Sequence, residues 1–95
     1  MDLGISGKIA LITAASSGLG KAVAAEFFRE GVKVAICSRN QDKLEETARE
    51  IGIDDPKRMY YQTCDVTDRK QVKSMIDNLV KKWGSVDILI SNAGG

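Results

Sequence analysis

Thr13-Ala14-Ala15-Ser16-Ser17-Gly18-Leu19-Gly20-Lys21 is the stretch on which the fold turns, because the hydrophobic period changes across it. Before it, Lys8-Ile9-Ala10-Leu11-Ile12-Thr13 is a short apolar run, the pattern of a strand buried on both faces. After it, Gly18 to Glu30 places Val23, Ala24, Phe27 and Phe28 on one stripe of a helix, and Gly31 supplies a stop. A helix that begins here aims its unpaired backbone N–H groups and the positive end of its dipole out of the strand's carboxyl end. Gly18 and Gly20 carry no Cβ, so a pyrophosphate can approach the backbone and the helix can pack close to the sheet. Two relatives of this turn are excluded. Ala22 lacks the magnesium-binding hydroxyl of a Walker A loop and Ala15 stands at its first glycine, while Val23 breaks a strict Gly-x-Gly-x-x-Gly fingerprint.

The same switch of period recurs downstream. Val32 to Cys37 repeats the buried-strand pattern, Asn40 is placed to cap a helix, and Leu44, Ala48 and Ile51 form that helix's apolar stripe. Asp54-Asp55-Pro56 marks a turn-rich connection over Gly52–Arg58, and Met59 to Cys64 is a third strand. Asp68 with Gln71 resembles a capping box. The helix behind it carries Val72, Ile76, Leu79, Val80 and Trp83 on one face and closes at Gly84, and Val86 to Ser91 is a fourth strand. Strands alternating with helices of this length predict a parallel α/β sheet with right-handed crossovers.

Composition narrows the chemistry. The chain has 95 residues, enough for one domain, with 43% hydrophobic and 28% charged residues and a net charge of +1. That balance gives no electrostatic case for nucleic acid or an anionic membrane as the main partner. Histidine is absent, so neither a Ser-His-Asp triad nor a histidine-ligated metal site can be built from the chain. Cys37 and Cys64 are too few for a disulfide scaffold or a four-cysteine zinc site and read as packed thiols. Met1-Asp2-Leu3 lacks the basic start of a signal peptide, and no apolar run approaches a membrane span. The expectation is a cytoplasmic protein without a metal site. Charged residues over 42–50, with Glu45 paired to Arg49, read as a solvated helix face.

Thr13-x-x-x-x-Gly18-x-Gly20, then Asp65-Val66, then Asn92-Ala93-Gly94, in that order and spacing, resembles the short-chain dehydrogenase/reductase family from about Leu3 onward. Ala14 stands where the family's first motif glycine would be, and Ser91 replaces the first asparagine of its Asn-Asn-Ala-Gly segment. The resemblance implies a Rossmann-like three-layer parallel sheet, present here in part, with four strands in the order 3-2-1-4 and three helices. It implies that Thr13, Ser16, Ser17, Gly18, Leu19 and Gly20 belong to the phosphate-binding turn, and that Asp65 and Val66 contact the adenine. Asn92, Ala93 and Gly94 would line the ribose; on local grounds alone they equally make an ordinary strand-ending turn.

Ser38-Arg39-Asn40 follows the second strand, where an acidic residue would favour NAD. Arg39 instead offers a planar fork to a 2′-phosphate, with Ser38 and Asn40 able to share it. One charge-assisted hydrogen bond is worth roughly 1.5–3 kcal/mol, about a ten- to hundredfold preference for NADP over NAD. The basic residue that accompanies this choice in the family is absent, since Ser17 holds its place.

The family's chemistry uses a serine, a Tyr-x-x-x-Lys pair and an asparagine that lie beyond the fourth strand. Tyr60 is followed four residues later by Cys64 and Tyr61 by Asp65, so neither is the catalytic tyrosine. The expectation is the amino-terminal, NADP(H)-binding half of a carbonyl or alcohol oxidoreductase, truncated within a cofactor motif and silent alone. The rival readings are a stand-alone nucleotide-binding module and a homo-oligomeric interaction module. The apolar fourth strand is expected as an uncovered edge that invites pairing with another copy, or aggregation.

Overall fold

The computed structural model describes residues 4–13 and 18–91. Its elements follow the expected alternation: β1 (Ile9–Thr13), α1 (Gly18–Arg29), β2 (Lys33–Ser38), α2 (Gln41–Ile51), a 3₁₀ turn (Pro56–Arg58), β3 (Met59–Thr63), α3 (Arg69–Trp83) and β4 (Ile88–Ile90). The sheet has the order β3-β2-β1-β4, and every neighbouring pair is parallel. Leu11 of β1 lies opposite Ala35 of β2 on one side and Leu89 of β4 on the other.

Both faces of β1 and β2 are covered, which explains why these strands are continuous apolar runs rather than alternating ones. Ala10, Ile12, Val34 and Ile36 pack against Ala24 and Phe28 of α1 and Leu44 and Ala48 of α2. Leu11, Ala35 and Cys37 pack on the opposite face with Met75 and Leu79 of α3 and with Cys64. Three layers result, and the carboxyl ends of all strands share one edge.

The chain punctuation behaves as its chemistry requires. Gly31 and Gly84 take left-handed φ values of 87° and 93°, and Gly84 closes α3 by donating from its amide to the Val80 carbonyl. Asn40 caps α2, its side chain accepting from the Lys43 amide at 3.0 Å.

Several expectations are corrected. The buried stripe of α3 is centred on Met75 and Leu79, whereas Val80 is exposed: Met75 sits one turn ahead of Leu79 on the sheet-facing side, and Val80 is rotated off it. Glu45 accepts from Gln41 Nε2 at 2.7 Å rather than pairing with Arg49. Asp68 caps α3 by accepting from the Lys70 amide, but Gln71 does not complete a capping box. Its Oε1 reaches past Asp68 to the Asp65 amide at 2.8 Å, because the chain folds back there in a turn closed by the Asp68 amide on the Asp65 carbonyl. The fourth strand is shorter than Val86–Ser91, since Asp87 meets β1 partly through its side chain.

Candidate functional site: the carboxyl edge of the sheet

Four strand ends converge where β1 gives way to β4, the point at which strand order reverses and the sheet opens a crevice. A cavity of about 120 Å³ lies there, lined by Thr13, Cys37, Cys64 and Ser91 from the strand ends, with Val66, Leu89, Val72 and Met75. Thr13 is buried and its Oγ1 donates to the Ile90 carbonyl at 3.4 Å, tying the ends of β1 and β4 together.

Gly18 opens α1 at φ 62°, a conformation that L side chains rarely adopt, and a Cβ placed there would meet no heavy atom within 4 Å. The approach to α1 is therefore open at Gly18, with Leu19 exposed and Gly20 buried. Lys21 does not serve that approach. Its Nζ is 2.6 Å from Glu50 Oε2 on α2, and this carboxylate holds the ammonium above its ordinary pKa.

Ser38 is buried, and its Oγ accepts from the Asn40 amide at 3.1 Å. Ser38 and Asn40 therefore shape the loop and cap α2, leaving exposed Arg39 between them as the cationic group of this corner. Asp65 stands across the same corner after β3. Its Oδ1 accepts from the Thr67 hydroxyl at 2.7 Å and the Thr67 amide at 2.9 Å. Those two bonds hold the Asp65 carboxyl below its ordinary pKa, and the positive charge of Arg39 adds to the effect. Val66 is half-exposed and turned onto the cavity.

Of the residues expected at the site, Thr13, Gly18, Leu19, Gly20, Ser38, Arg39, Asn40, Asp65 and Val66 lie along this edge. Ser16, Ser17, Asn92, Ala93 and Gly94 lie outside the described residues. Cys37 and Cys64 are packed thiols, as expected, and neither is in a disulfide. Among the described residues no group of three or more His, Cys, Asp or Glu is placed to hold a metal ion, and no helix is long and apolar enough to cross a membrane.

Sequence reasoning missed Thr67 and Asp87, and it placed Gln71 at Asp68 alone without its bond from the Asp65 amide. An Asp-x-Thr pattern ahead of a helix is a recognisable turn signal and could have identified Thr67. No local signal marks Asp87, whose partner Ile9 is 78 residues away in sequence.

The edge can hold an extended anionic nucleotide: open backbone amides at one helix start, a guanidinium at the neighbouring strand end, and a carboxylate and an apolar wall beyond it. Comparison with known proteins points the same way. The profile of the family described as short chain dehydrogenase matches residues 8–95. A probable 2,4-dienoyl-CoA reductase 3 from Caenorhabditis elegans is 42% identical over 99% of this chain, which spans 31% of that protein. Glycine betaine reductase ATRR from Emericella nidulans is 43% identical over 95% of the chain, which spans 7% of it. Among solved structures, L-sorbose reductase from Gluconobacter frateurii, complexed with NADPH and L-sorbose, superposes on the whole chain with a TM-score of 0.92 at 38% identity. The chain covers 36% of that structure, and 36% of an actinorhodin polyketide ketoreductase with NADPH that matches at a TM-score of 0.86 and 32% identity. With its sheet order, its glycine turn and its profile match in agreement, the chain belongs to the short-chain dehydrogenase family.

Proposed function

We propose that this chain is the NADP(H)-binding half of a carbonyl or alcohol oxidoreductase. The observation that carries the reading is the placement of Arg39 at the carboxyl end of β2, exposed beside the crevice and electrostatically coupled to Asp65. The open space at Gly18 fits the group, because a phosphate can reach the amides of the first turn of α1 without meeting a side chain at that position. The two NADPH-bound relatives described above support the choice of dinucleotide.

In this reading the first turn of α1 binds the pyrophosphate with Thr13, Ser16, Ser17, Gly18, Leu19 and Gly20 around it. Arg39 takes the 2′-phosphate through its planar fork. Ser38 and Asn40 hold the loop so that the guanidinium faces solvent and ligand rather than the helix. Asp65 and Val66 receive the adenine, and Asn92, Ala93 and Gly94 the ribose. The dinucleotide, when bound, supplies or accepts a hydride. No residue of this chain is assigned to proton transfer. A cytoplasmic location is part of the proposal. Association with further copies along β4 is another part, supported by the exposure of Leu89.

Calorimetric titration of the chain with NADPH and NADH tests the reading. NADPH is expected to bind about ten- to hundredfold more tightly, and Arg39→Asp to abolish or invert that preference. Equal affinities in the unaltered chain remove the role given to Arg39, and no binding of either dinucleotide removes the cofactor reading for this chain.

A further inference from the structure

β3 is the outermost strand of the sheet on the side away from the β1–β4 crevice. The Cys64 amide donates to the Ser38 carbonyl at 2.9 Å, and Gln62 lies opposite Cys37 in the parallel ladder. Backbone groups alternate along a strand, so Tyr60 and Gln62 turn their N–H and C=O toward β2, while Tyr61 and Thr63 turn theirs outward. The Met59 amide donates to the Pro56 carbonyl of the preceding 3₁₀ turn, which leaves only its carbonyl at the edge. Among the described residues no strand pairs with that side. β3 reads Met-Tyr-Tyr-Gln-Thr, with neither a charge nor a proline, the side chains that usually keep an edge from pairing. The third strand stays outermost in the doubly wound order 3-2-1-4-5-6, so this edge does not depend on what adjoins β4.

Beside the edge, on the α2 side, runs a groove of about 360 Å³ with Ala48, Ile53, Met59 and Tyr61 in its wall. Ile53 is 71% exposed and Tyr61 40%. Outward backbone groups and apolar surface thus lie together, the combination that an added strand needs. The groove also carries one acid and one base, Glu45 and Arg49, one turn apart on α2. A rim of a single sign calls for a partner of the opposite sign. A rim with both signs is complementary to its own reversed copy, which is the relation a two-fold axis imposes. We propose that β3 pairs with the β3 of a second copy of this chain, antiparallel about a two-fold axis at Tyr61, so that the two sheets become one.

The register follows from the outward groups. The two Tyr61 residues exchange their amide–carbonyl bonds, and each Thr63 amide donates to the Met59 carbonyl of the other copy. A register centred on Tyr60 would call on the Met59 amide, which is already bonded to Pro56. Pairing at Tyr61 also sets the two phenol rings side by side on the α2 face, an aromatic cross-strand pair. Nothing in this arrangement touches the crevice, so it stands apart from the cofactor reading.

Leu89→Lys blocks the other free edge, at β4, so the test is made in that background. Sedimentation of the Leu89→Lys chain across the micromolar range is expected to show a monomer–dimer equilibrium. Adding Tyr61→Lys is expected to weaken the dimer at least tenfold, with far-UV circular dichroism unchanged. Cross-linking reads the register. Tyr61→Cys puts its Cα about 5.5 Å from its counterpart, within the reach of a disulfide. Thr63→Cys, exposed on the same face, puts the two Cα atoms about 14 Å apart, from a rise of about 3.3 Å per residue and a strand spacing of about 4.8 Å. Oxidation is therefore expected to link two chains through position 61 and not through position 63, with the linked peptides mapped by mass spectrometry to set aside the buried Cys37 and Cys64. A Leu89→Lys chain that stays monomeric, a dimer indifferent to Tyr61→Lys, or a Tyr61→Cys chain that links no better than Thr63→Cys overturns the proposal. If Tyr61→Lys unfolds the chain, the cross-links decide.

Discussion

Asp87 and Ile9 are bonded twice: the Asp87 amide donates to the Ile9 carbonyl at 2.8 Å, and Asp87 Oδ2 accepts from the Ile9 amide at 2.9 Å. A carboxylate thus takes the place of a backbone carbonyl at the start of the β1–β4 ladder, and it sets the register that brings Ile90 to Thr13. Ile9 is buried, so removing the acceptor strands its N–H away from water. Asp87→Ala is expected to cost about 1–3 kcal/mol in urea unfolding. Asp87→Asn keeps a carbonyl acceptor and is expected to recover more than half of that loss. Equal losses in the two variants would mean that charge, not the bond to Ile9, matters at this position.

Arg58 performs a similar service at the same amino end of the strands, on the β3 side of the sheet. Its Nη1 donates to the Phe28 and Val32 carbonyls at 3.0 and 2.8 Å, its Nε donates to Asp55 at 2.9 Å, and the guanidinium stacks 3.9 Å from the Phe28 ring. One planar group therefore gives a second donor to the Phe28 carbonyl at the end of α1, which also accepts from the Gly31 amide, and a donor to the Val32 carbonyl at the entry to β2. Arg58→Ala is expected to lower stability by about 2–4 kcal/mol. Lysine, a single point donor, should restore less than half of it. Dinucleotide affinity of the folded fraction should be unchanged, because Arg58 precedes β3 and the crevice lies beyond its other end. Thermal and chemical unfolding of the two variants checks both statements.

The Asp65 carboxylate is stabilised in the folded state by Thr67, which fixes the direction of a pH effect. Its folded pKa lies below the ordinary value of 3.8. The resulting stability is fully present above the unfolded pKa and is lost as pH falls through the folded value. Thr67→Val removes the hydroxyl bond and keeps the amide bond, so the Asp65 pKa should rise toward 3.8 without reaching it. Carboxyl titration by NMR reads this directly. An unmoved pKa in Thr67→Val would assign the shift to the amide and Arg39 instead.

How much of this was legible in the sequence depends on the range of the interaction. Gly84, Asn40 and the strand–helix alternation act within a few residues of themselves, and periodicity and capping chemistry expose them. The sheet order followed from right-handed crossovers and the family resemblance together. Arg58 and Asp87 were illegible, since a lone arginine in a turn and a lone aspartate near the start of an expected strand look like solvated charges until Phe28 and Ile9 are brought to them. Arg39 and Asp65 were each named from the family pattern. That they face one corner, and that Asp65 is held by Thr67 while Ser38 and Asn40 are occupied with the backbone, required the folded chain.

Leu89 gives the oligomer expectation a definite handle. It lies opposite Leu11 in the ladder, but Leu11 is covered by α3 while Leu89 remains 58% exposed at the edge of the sheet. Among the described residues β4 is bonded to β1 on one side and has no strand neighbour on the other, so an apolar side chain and a row of backbone groups face outward together. Such an edge recruits another strand, and a lysine on it is the usual deterrent, because pairing would bury the ammonium. Sedimentation across the micromolar range should show the chain self-associating and Leu89→Lys returning it toward monomer, with little loss of stability because the site is exposed. If the unaltered chain sediments as a monomer throughout, β4 is not an association edge under those conditions. If the variant associates as strongly as the unaltered chain, the interface lies elsewhere, and the other edge strand, β3 with its half-exposed Tyr61, is the next position to alter.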